Sequence, residues 1–320
     1  MPRPITSIPP SGPLHLGHYR GALAPFAALQ ADSRTAFLAV ADLHLMASRV
    51  SRPVTAAVPD CAATLVAECL AVGVDADRCA FYRQSDVPEL ALINGLLHHL
   101  VTVEELLPQR GYARRAARAD GPPSLGMLGW PVLEAADIIG TSATHVAIGA
   151  GNARHMEICH GLLTRLRDEW GIDLPVPAAT VGAVDLPGLD GARKMSRSRG
   201  NCLLLGADEP TLRARVHTMA IRSEDGACVP AAYLAALGRT AEADRVTRGL
   251  TDGTTSPDQA RELVLAAVLT HIAPIGRRVG ELADDRSLLD GLLATGTERV
   301  RDLADATLRR LRRGLGLTRV

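Results

Sequence analysis

Two histidines near the N-terminus, His15 and His18, have the chemistry and spacing needed to hold negative charge. They lie in residues 10–19 (PSGPLHLGHY), which follow a short apolar run and include Gly12 and Gly17. A strand, a glycine-marked turn and a helix are expected here, and a helix N-terminus favours anions. Imidazole and backbone N–H donors suit the charge that builds on a phosphate during nucleotidyl transfer, and glycine lets a sugar or base approach the backbone. The alternative is that both histidines only cap the turn.

A second stretch, residues 188–201 (GLDGARKMSRSRGN), combines three glycines with basic and hydroxyl side chains. It contains Lys194, the only lysine of the chain. The composition predicts a mobile basic loop that closes over a phosphate chain and stabilises departing pyrophosphate. It lacks the spacing of a P-loop. A general preference for arginine could also leave one lysine by accident.

The chain between these stretches has the alternation of a parallel α/β sheet. Apolar runs predict strands at residues 3–8, 35–41, 79–82, 145–148 and 176–184. Helical patterns are expected at 14–29, 54–72, 87–107 and 131–139, and from a turn at 149–152 to about residue 170. Ligands of such sheets bind beyond the carboxyl ends of the strands, so the turn at 10–18 and residues 42–44 should share that edge.

From residue 209 onward the pattern is helical. We therefore expect a catalytic domain at residues 1–207 and a helical domain at 208–320. An arginine cluster precedes residue 126, and it is either a solvated loop or a contact with RNA or nucleotide phosphates. Its members are Arg110, Arg114, Arg115 and Arg118.

Composition restricts the class of protein. The 320 residues are 47% hydrophobic, enough for a full core, and 35 basic residues balance 35 acidic ones. Zero net charge neither requires nor excludes a nucleic-acid partner. Six cysteines without metal-ligand spacing predict reduced thiols in a cytosolic protein and no protein metal site. We find no signal-like start and expect no apolar run of the ~18 residues that span a bilayer.

At this point a family resemblance is clear. Residues 10–18 resemble the His-x-Gly-His signature of class I aminoacyl-tRNA synthetases, and residues 194–198 (KMSRS) resemble their Lys-Met-Ser-Lys-Ser signature. Residues 129–139 (GWPVLEAADII) and 143–149 (ATHVAIG) are similar to the tryptophanyl subfamily. The similarity runs from about residue 3 to the C-terminal helices.

The resemblance implies a Rossmann-type catalytic domain, a helical anticodon-binding-like domain and a cytoplasmic homodimer. It also implies ATP with Mg²⁺, activation of tryptophan or an analogue as the aminoacyl-adenylate, and transfer to tRNA. The implied catalytic residues are His15, His18, Lys194 and Arg197. The implied ATP site consists of Pro10, Ser11, Gly12, Gly17, His18, Gly149, Ala150, Gly151, Asn152, Lys194, Met195, Ser196, Arg197 and Ser198. The implied amino-acid site consists of Ile5, His44, Glu134 and Asp137, with Asp137 accepting the indole N–H.

The chain departs from the family where substrates are recognised. Ala150 and Gly151 replace the acidic residues that usually follow the fourth strand, and Arg197 replaces the second lysine of the loop signature. Glu134 stands where an apolar or amide residue is usual, and Ile5 where an aromatic residue is usual. A buried carboxylate beside an indole is costly unless it is paired, so we expect Glu134 to meet a polar or cationic group.

These departures leave other functions open. One is a ligase that passes an activated amino acid to a small-molecule acceptor in specialised metabolism. Another is a non-catalytic RNA-binding paralogue, against which His15, His18 and Lys194 argue. A third is a small adenylyltransferase, against which the basic loop and the long helical tail argue.

Overall fold

A computed structural model describes residues 1–47, 58–109, 112–113, 116–117, 122–149, 154–182 and 186–317. Within them, five strands form one parallel sheet in the order β3-β2-β1-β4-β5. The strands are β1 (Pro4–Ile8), β2 (Ala36–Val40), β3 (Cys79–Arg83), β4 (His145–Ile148) and β5 (Ala178–Val181). The predicted parallel α/β architecture is confirmed, and each strand lies where its apolar run predicts it.

The helices follow the predicted order. They are α1 (Leu16–His18, a π-helical turn Tyr19–Leu23, and Ala24–Ala31), α2 (Asp42–Ala47), α3 (Val58–Ala71), α4 (Pro88–His98), α5 (Val103–Leu106), α6 (Leu125–Leu128), α7 (Trp130–Gly140), α8 (His155–Trp170), α9 (Glu209–His217), α10 (Val229–Ala236), α11 (Thr240–Asp252), α12 (Pro257–His271), α13 (Ala273–Ala283) and α14 (Arg286–Gly314). Residues 54–57 of one predicted helix lie outside the described residues.

The single helix expected at residues 87–107 is wrong. The helix ends at His98, and a new one begins at Val103, because Thr102 forms a capping box with Glu105. The Thr102 hydroxyl accepts from Glu105 N at 3.3 Å, and the Glu105 carboxylate accepts from Thr102 N at 2.7 Å. These bonds satisfy backbone donors at a new helix start.

Alternate residues of the strands bury their side chains in two cores on opposite faces of the sheet. Leu38 and Val40 point to the face covered by α1, α3 and the helices after residue 209, and Phe37 and Ala39 point to the face covered by α4, α7 and α8. Every residue of β2 is buried, as expected for a central parallel strand. Helices therefore cover both faces of the sheet.

The last helix, α14, returns to the sheet and packs along β3. Gly296 makes this close approach possible, since a Cβ there would lie 1.9 Å from the carbonyl oxygen of Phe81. Buried residues of the helices from residue 209 onward thus belong to the same core as one face of the sheet. The last of these helices, α14, also packs against β3. The domain boundary near residue 207 stays a prediction.

Two glycines of α14 make a matched pair for testing this contact. We expect Gly296→Ala to lower the free energy of unfolding by about 3 kcal/mol, because the methyl group must displace strand backbone. Gly291 has no heavy atom within 4 Å of a built Cβ. Gly291→Ala should therefore raise the free energy of unfolding by about 0.5–1 kcal/mol, the usual gain in a helix interior. Urea denaturation measures both, and equal effects at the two sites would contradict the close approach.

One described stretch, Pro257–Ala283, is long and apolar enough to cross a membrane by length and composition. The expectation that no run reaches that length is therefore wrong for this stretch. It is divided into α12 and α13 at Ile272, and Val264, Val268 and Ile275 are buried in one of the two cores. Its apolar side chains thus pack against other helices of the chain.

Candidate active site

Backbone hydrogen bonds join the two stretches that the sequence singles out. Leu16 N donates to Leu203 O at 2.9 Å, and Leu205 N donates to Leu14 O at 2.9 Å. His15 and Leu204 form the antiparallel bridge between these bonds. The segment that leaves the basic loop therefore runs beside the turn that carries the histidines.

The side chain of Arg197 lies across the glycine turn. Its Nη1 donates to Pro13 O at 2.9 Å, and its Nη2 donates to Ser11 Oγ at 3.0 Å. A Cβ on Gly12 would lie 2.9 Å from Nη1, and Gly12 has φ +121°, a conformation that side-chain-bearing residues rarely adopt. Glycine is thus required here both by the backbone and by the guanidinium above it.

The other loop residues take distinct positions. Met195 is buried, and its Sδ is 3.7 Å from a Cβ built on Gly17, so the loop touches the first turn of α1. Lys194 is exposed, and the hydroxyls of Ser196 and Ser198 are 3.0 Å apart. Arg197 and Met195 therefore bring the basic loop against the turn.

Asn201 and Asp190 hold the loop in this shape, a role that the motif did not indicate. Ser196 N donates to Asn201 Oδ1 at 2.7 Å, and Asn201 Nδ2 donates to Asp190 Oδ1 at 2.8 Å. Asn201 is buried, although Arg199 and Gly200 directly before it are exposed. A buried amide that bonds across a loop fixes its conformation.

His15 and His18 lie 3.9 Å apart between ring centroids. Gly17 N donates to His15 Nδ1 at 3.1 Å, and His15 N donates to His18 Nδ1 at 3.2 Å. Each Nδ1 accepts a hydrogen bond from a backbone N–H, so each neutral ring carries its proton on Nε2. Burial, followed by nearby Arg197 and Lys194, lowers the pKa of His15 to about 4. Burial, then His15, Arg197 and Lys194, lowers the pKa of His18 to about 3. At neutral pH the pair thus offers two Nε2–H donors without positive charge.

Glu68 of α3 binds the backbone of the histidine turn and was not identified from the sequence. Its two carboxylate oxygens accept from Leu14 N at 2.9 and 3.0 Å, and the residue is 1% exposed. Burial raises its pKa to about 7, against the lowering effects of the Leu14 bond and Arg197. The sequence signal that could have identified Glu68 is that it is a single acidic residue within the apolar run of α3.

The raised pKa of Glu68 predicts a pH dependence of stability. The folded state holds this proton more tightly than the unfolded chain, so Glu68 costs stability as pH rises from about 4.5 to 7. Compared with a Glu68→Gln variant, the wild-type chain should lose about 1–3 kcal/mol of unfolding free energy between pH 5 and pH 8. Urea melts at both pH values test this, and parallel curves for the two proteins would contradict it.

A cleft lies at the carboxyl ends of the central strands, between residues that follow β1 and β2 and the helix α7. Three of the predicted amino-acid-binding residues line it, namely Ile5, His44 and Glu134, together with Trp130. The fourth, Asp137, is fully buried behind Ser7, which also lines the cleft. The structure thus gathers all four at one site.

Asp137 lies in a network that leaves one of its oxygens unused. Oδ2 accepts from Gln84 Nε2 at 2.5 Å and from Ser7 Oγ at 3.2 Å, while the buried Oδ1 has no partner among the described residues. Burial raises the pKa of Asp137 to about 8, although both hydrogen bonds favour the carboxylate. The site therefore presents a carboxyl group ready to accept one further N–H donor.

Gln84, missed by sequence reasoning, also orients His44. Its Nε2 bonds Asp137, so its Oε1 faces His44 and accepts from Nδ1 at 3.0 Å. Burial lowers the pKa of His44, which leaves Nε2 as a bare acceptor without a partner in the described structure. The edge of the His44 ring contacts Trp130 at 4.7 Å between centroids.

Glu134 is paired with His155 of α8. The His155 Nδ1–H donates to Glu134 Oε2 at 2.6 Å, and both side chains are buried. The sequence predicted that Glu134 must meet a polar or cationic group, and His155 supplies one within the protein. Their positions are 21 residues apart, and nothing in the spacing indicated the pair.

The remaining predicted residues are placed as follows. Pro10 is buried at the start of the turn, and Gly149 follows β4 with no heavy atom of the described residues within 4 Å of a built Cβ. Outside the described residues are Ala150, Gly151, Asn152, Arg110, Arg114, Arg115 and Arg118. In the part of the chain that is described, no group of three or more His, Cys, Asp or Glu side chains could hold a metal ion.

Comparison with known proteins gives a consistent result. The family model "tRNA synthetases class I (W and Y)" matches residues 3–254. The tryptophan–tRNA ligase of Treponema pallidum is 33% identical over 331 residues, covering 99% of this chain and 98% of that protein. The tryptophan–tRNA ligase of Porphyromonas gingivalis is 29% identical over 328 residues, covering 98% of each.

Solved structures share the fold at lower identity. Tryptophanyl-tRNA synthetase from Campylobacter jejuni, complexed with ADP and tryptophan, has a TM-score of 0.81 and 24% identity, covering 98% of this chain and 99% of that one. The enzyme from Mycoplasma pneumoniae has a TM-score of 0.81 and 21% identity, covering 99% and 98%.

Proposed function

The chain belongs to the class I tRNA synthetases of the tryptophan and tyrosine type, and we propose that it activates tryptophan with ATP and transfers it to tRNA. The tryptophan carboxylate attacks the α-phosphate of ATP, forming the aminoacyl-adenylate and releasing pyrophosphate. The aminoacyl group then passes to a ribose hydroxyl at the tRNA 3′ end, releasing AMP.

The observation that carries this proposal is the position of the basic loop over the histidine turn. Arg197 bonds both Ser11 and Pro13, directly beside the His15–His18 pair. We propose that the two Nε2–H donors stabilise the transferring phosphate and that Lys194 and Arg197 stabilise the pyrophosphate. Donors already in place need no rearrangement when charge develops.

ATP and its metal fit the site in different ways. The Arg197 guanidinium over Gly12 and the imidazole donors of His15 and His18 suit phosphate oxygens. No described cluster of side chains could hold a metal ion. We therefore propose that Mg²⁺ enters with ATP, bound by the phosphate oxygens.

Asp137 is proposed to accept the indole N–H, and this predicts a pH effect. Because the pKa of Asp137 is raised to about 8, this group is mostly protonated at pH 7. An N–H donor binds the deprotonated carboxylate more tightly, so tryptophan should bind better as pH rises. The KM for tryptophan should fall about tenfold per pH unit from pH 6 to about pH 8 and then level off. Asp137→Asn should have a higher KM without this slope. A flat wild-type profile in steady-state assays would contradict the role.

Exposed apolar side chains support the proposal of a homodimer. Leu125 is 85% exposed and Met46 is 56% exposed, on α6 and α2. The two helices are in contact, since a Cβ on Gly126 would lie 3.5 Å from Ala47 Cβ. Such a patch is typical of an interface. We further propose that the enzyme works in the cytoplasm and that the helices after residue 207 contact the tRNA.

The test is amino-acid-dependent exchange of pyrophosphate into ATP, followed by loading of tRNA transcripts. We expect exchange with tryptophan and charging of tRNA for tryptophan. Exchange without charging would favour the small-molecule acceptor instead. No exchange with any amino acid of a complete panel would exclude the proposed activation.

A further inference from the structure

Glu134 lies on the same face of α7 as Asp137, one turn nearer the N-terminus of the helix. Both are close to the cleft, and Glu134 is among the groups that raise the pKa of Asp137. The proposed function gives Asp137 a substrate donor and leaves Glu134 without a role. A buried carboxylate needs polar or charged partners, and His155 engages only Oε2 of Glu134.

The direction of α7 places Glu134 on the side of the phosphate turn. The helix ends at Gly140, and the chain reaches the amino end of β4 at His145, where Thr144 N bonds Arg3 O at 3.0 Å beside the start of β1. The C-terminus of α7 is therefore at the amino edge of the sheet, and its N-terminus is at the carboxyl edge. Along the axis of α7, Glu134 therefore lies nearer than Asp137 to the carboxyl edge, where the histidine turn follows β1.

The spacing of the two carboxylates matches the length of an indole amino acid. Three residues of an α-helix advance about 4.5 Å along its axis. The indole nitrogen and the α-nitrogen of tryptophan are five bonds apart and so separated by about 5 Å. With the ring N–H at Asp137, the α-ammonium group lies at the level of Glu134.

His155 leaves the carboxylate able to bind this group. It occupies Oε2 of Glu134 and fixes the orientation of the side chain. A carboxylate has two oxygens and about four acceptor positions, so Oε1 remains available. We propose that Glu134, held by His155, binds the α-ammonium group of the amino-acid substrate. This inference rests on the proposed function.

The test compares tryptophan with indole-3-propionate, which lacks only the α-amino group. Dissociation constants are measured by calorimetry on the full chain and on Glu134→Gln, which keeps the size of the side chain and its bond with His155. Glu157→Gln, an exposed acid on α8, is the matched control. Thermal melts check that each variant is folded.

We expect wild type and Glu157→Gln to bind tryptophan about 100-fold more tightly than indole-3-propionate. In Glu134→Gln this ratio should fall to about tenfold or less, through weaker binding of tryptophan, with indole-3-propionate bound as before. Because the ratio compares two ligands on one protein, a partly unfolded sample does not change it.

Three results would overturn the inference. One is unchanged binding of both ligands in Glu134→Gln, and another is an equal loss for both ligands, which also leaves the ratio unchanged and indicates a structural role. The third is a changed preference among ring-hydroxylated tryptophans with the amino-group ratio intact, which places the carboxylate at the ring. If the wild-type chain activates no amino acid, the proposed function fails as well, whereas an active wild type with an unchanged ratio removes only the role of Glu134.

Discussion

A Lys194→Ala chain will catalyse pyrophosphate exchange about 100- to 1,000-fold more slowly than the wild-type chain, with a smaller change in KM for tryptophan. Removing one donor that stabilises developing charge has an effect of this size. Loss of a group that acts only in the transition state lowers kcat. Lys194 is exposed on the loop whose Arg197 already spans the turn. Lys194→Arg should retain part of the rate, because it keeps the charge and changes its geometry.

Arg193→Ala is the matched control, since Arg193 is an exposed cation one residue away. Its exchange rate should stay within about threefold of wild type. The single lysine offers a second measurement. Amine-directed acylation should inactivate the chain, ATP should protect it, and mass spectrometry should locate the change at Lys194. A chain that is acylated at Lys194 and keeps full activity would exclude a catalytic role for this residue.

Replacing both histidines with alanine is expected to lower the exchange rate by about 10²–10⁴-fold, because two preorganised N–H donors are lost from one phosphate site. His271→Ala, at an exposed position in α12, should leave the rate unchanged. The pKa values of His15 and His18 are about 4 and 3, so both rings are already neutral above pH 6. The size of the loss should therefore be the same at pH 6.5 and pH 8.

Stopped-flow measurement of adenylate formation separates this loss from an effect on binding. A double variant with normal kcat and a raised KM for ATP would show that the imidazoles bind the ground state and do not act in the transition state. A loss that disappears at high pH would show that charged rings do the work.

The elements that could be predicted are those encoded by local pattern. The wholly apolar residues 36–40 predicted a buried central strand, and the pairing of the histidine turn with the lysine loop followed from the two motifs. The break after His98 was also readable, because Thr102 and Glu105 have the spacing of a capping box. The break was missed because apolar residues continue on both sides of it and were interpreted as one helix.

What could not be predicted depends on contacts between distant parts of the chain. Glu68 meets Leu14 across 54 positions, and Gln84 meets Asp137 across 53. Neither spacing corresponds to a helical or strand period or to a known motif. These residues meet only because the folded sheet brings α3 to the turn and the end of β3 to α7. Buried polar groups that support a site find their partners only in the tertiary structure. Residues that touch substrate can be recognised in the sequence from their residue types.

The route of α14 has a consequence for synthesis of the chain. β3 is at one border of the sheet, and the helix that shields it is translated long after the strand. Until that helix emerges from the ribosome, the nascent chain exposes apolar residues such as Phe81 along an unshielded strand, a surface that favours aggregation. Truncated chains that stop before Gly296 should thus accumulate in inclusion bodies, even though they contain every residue proposed to act in the reaction.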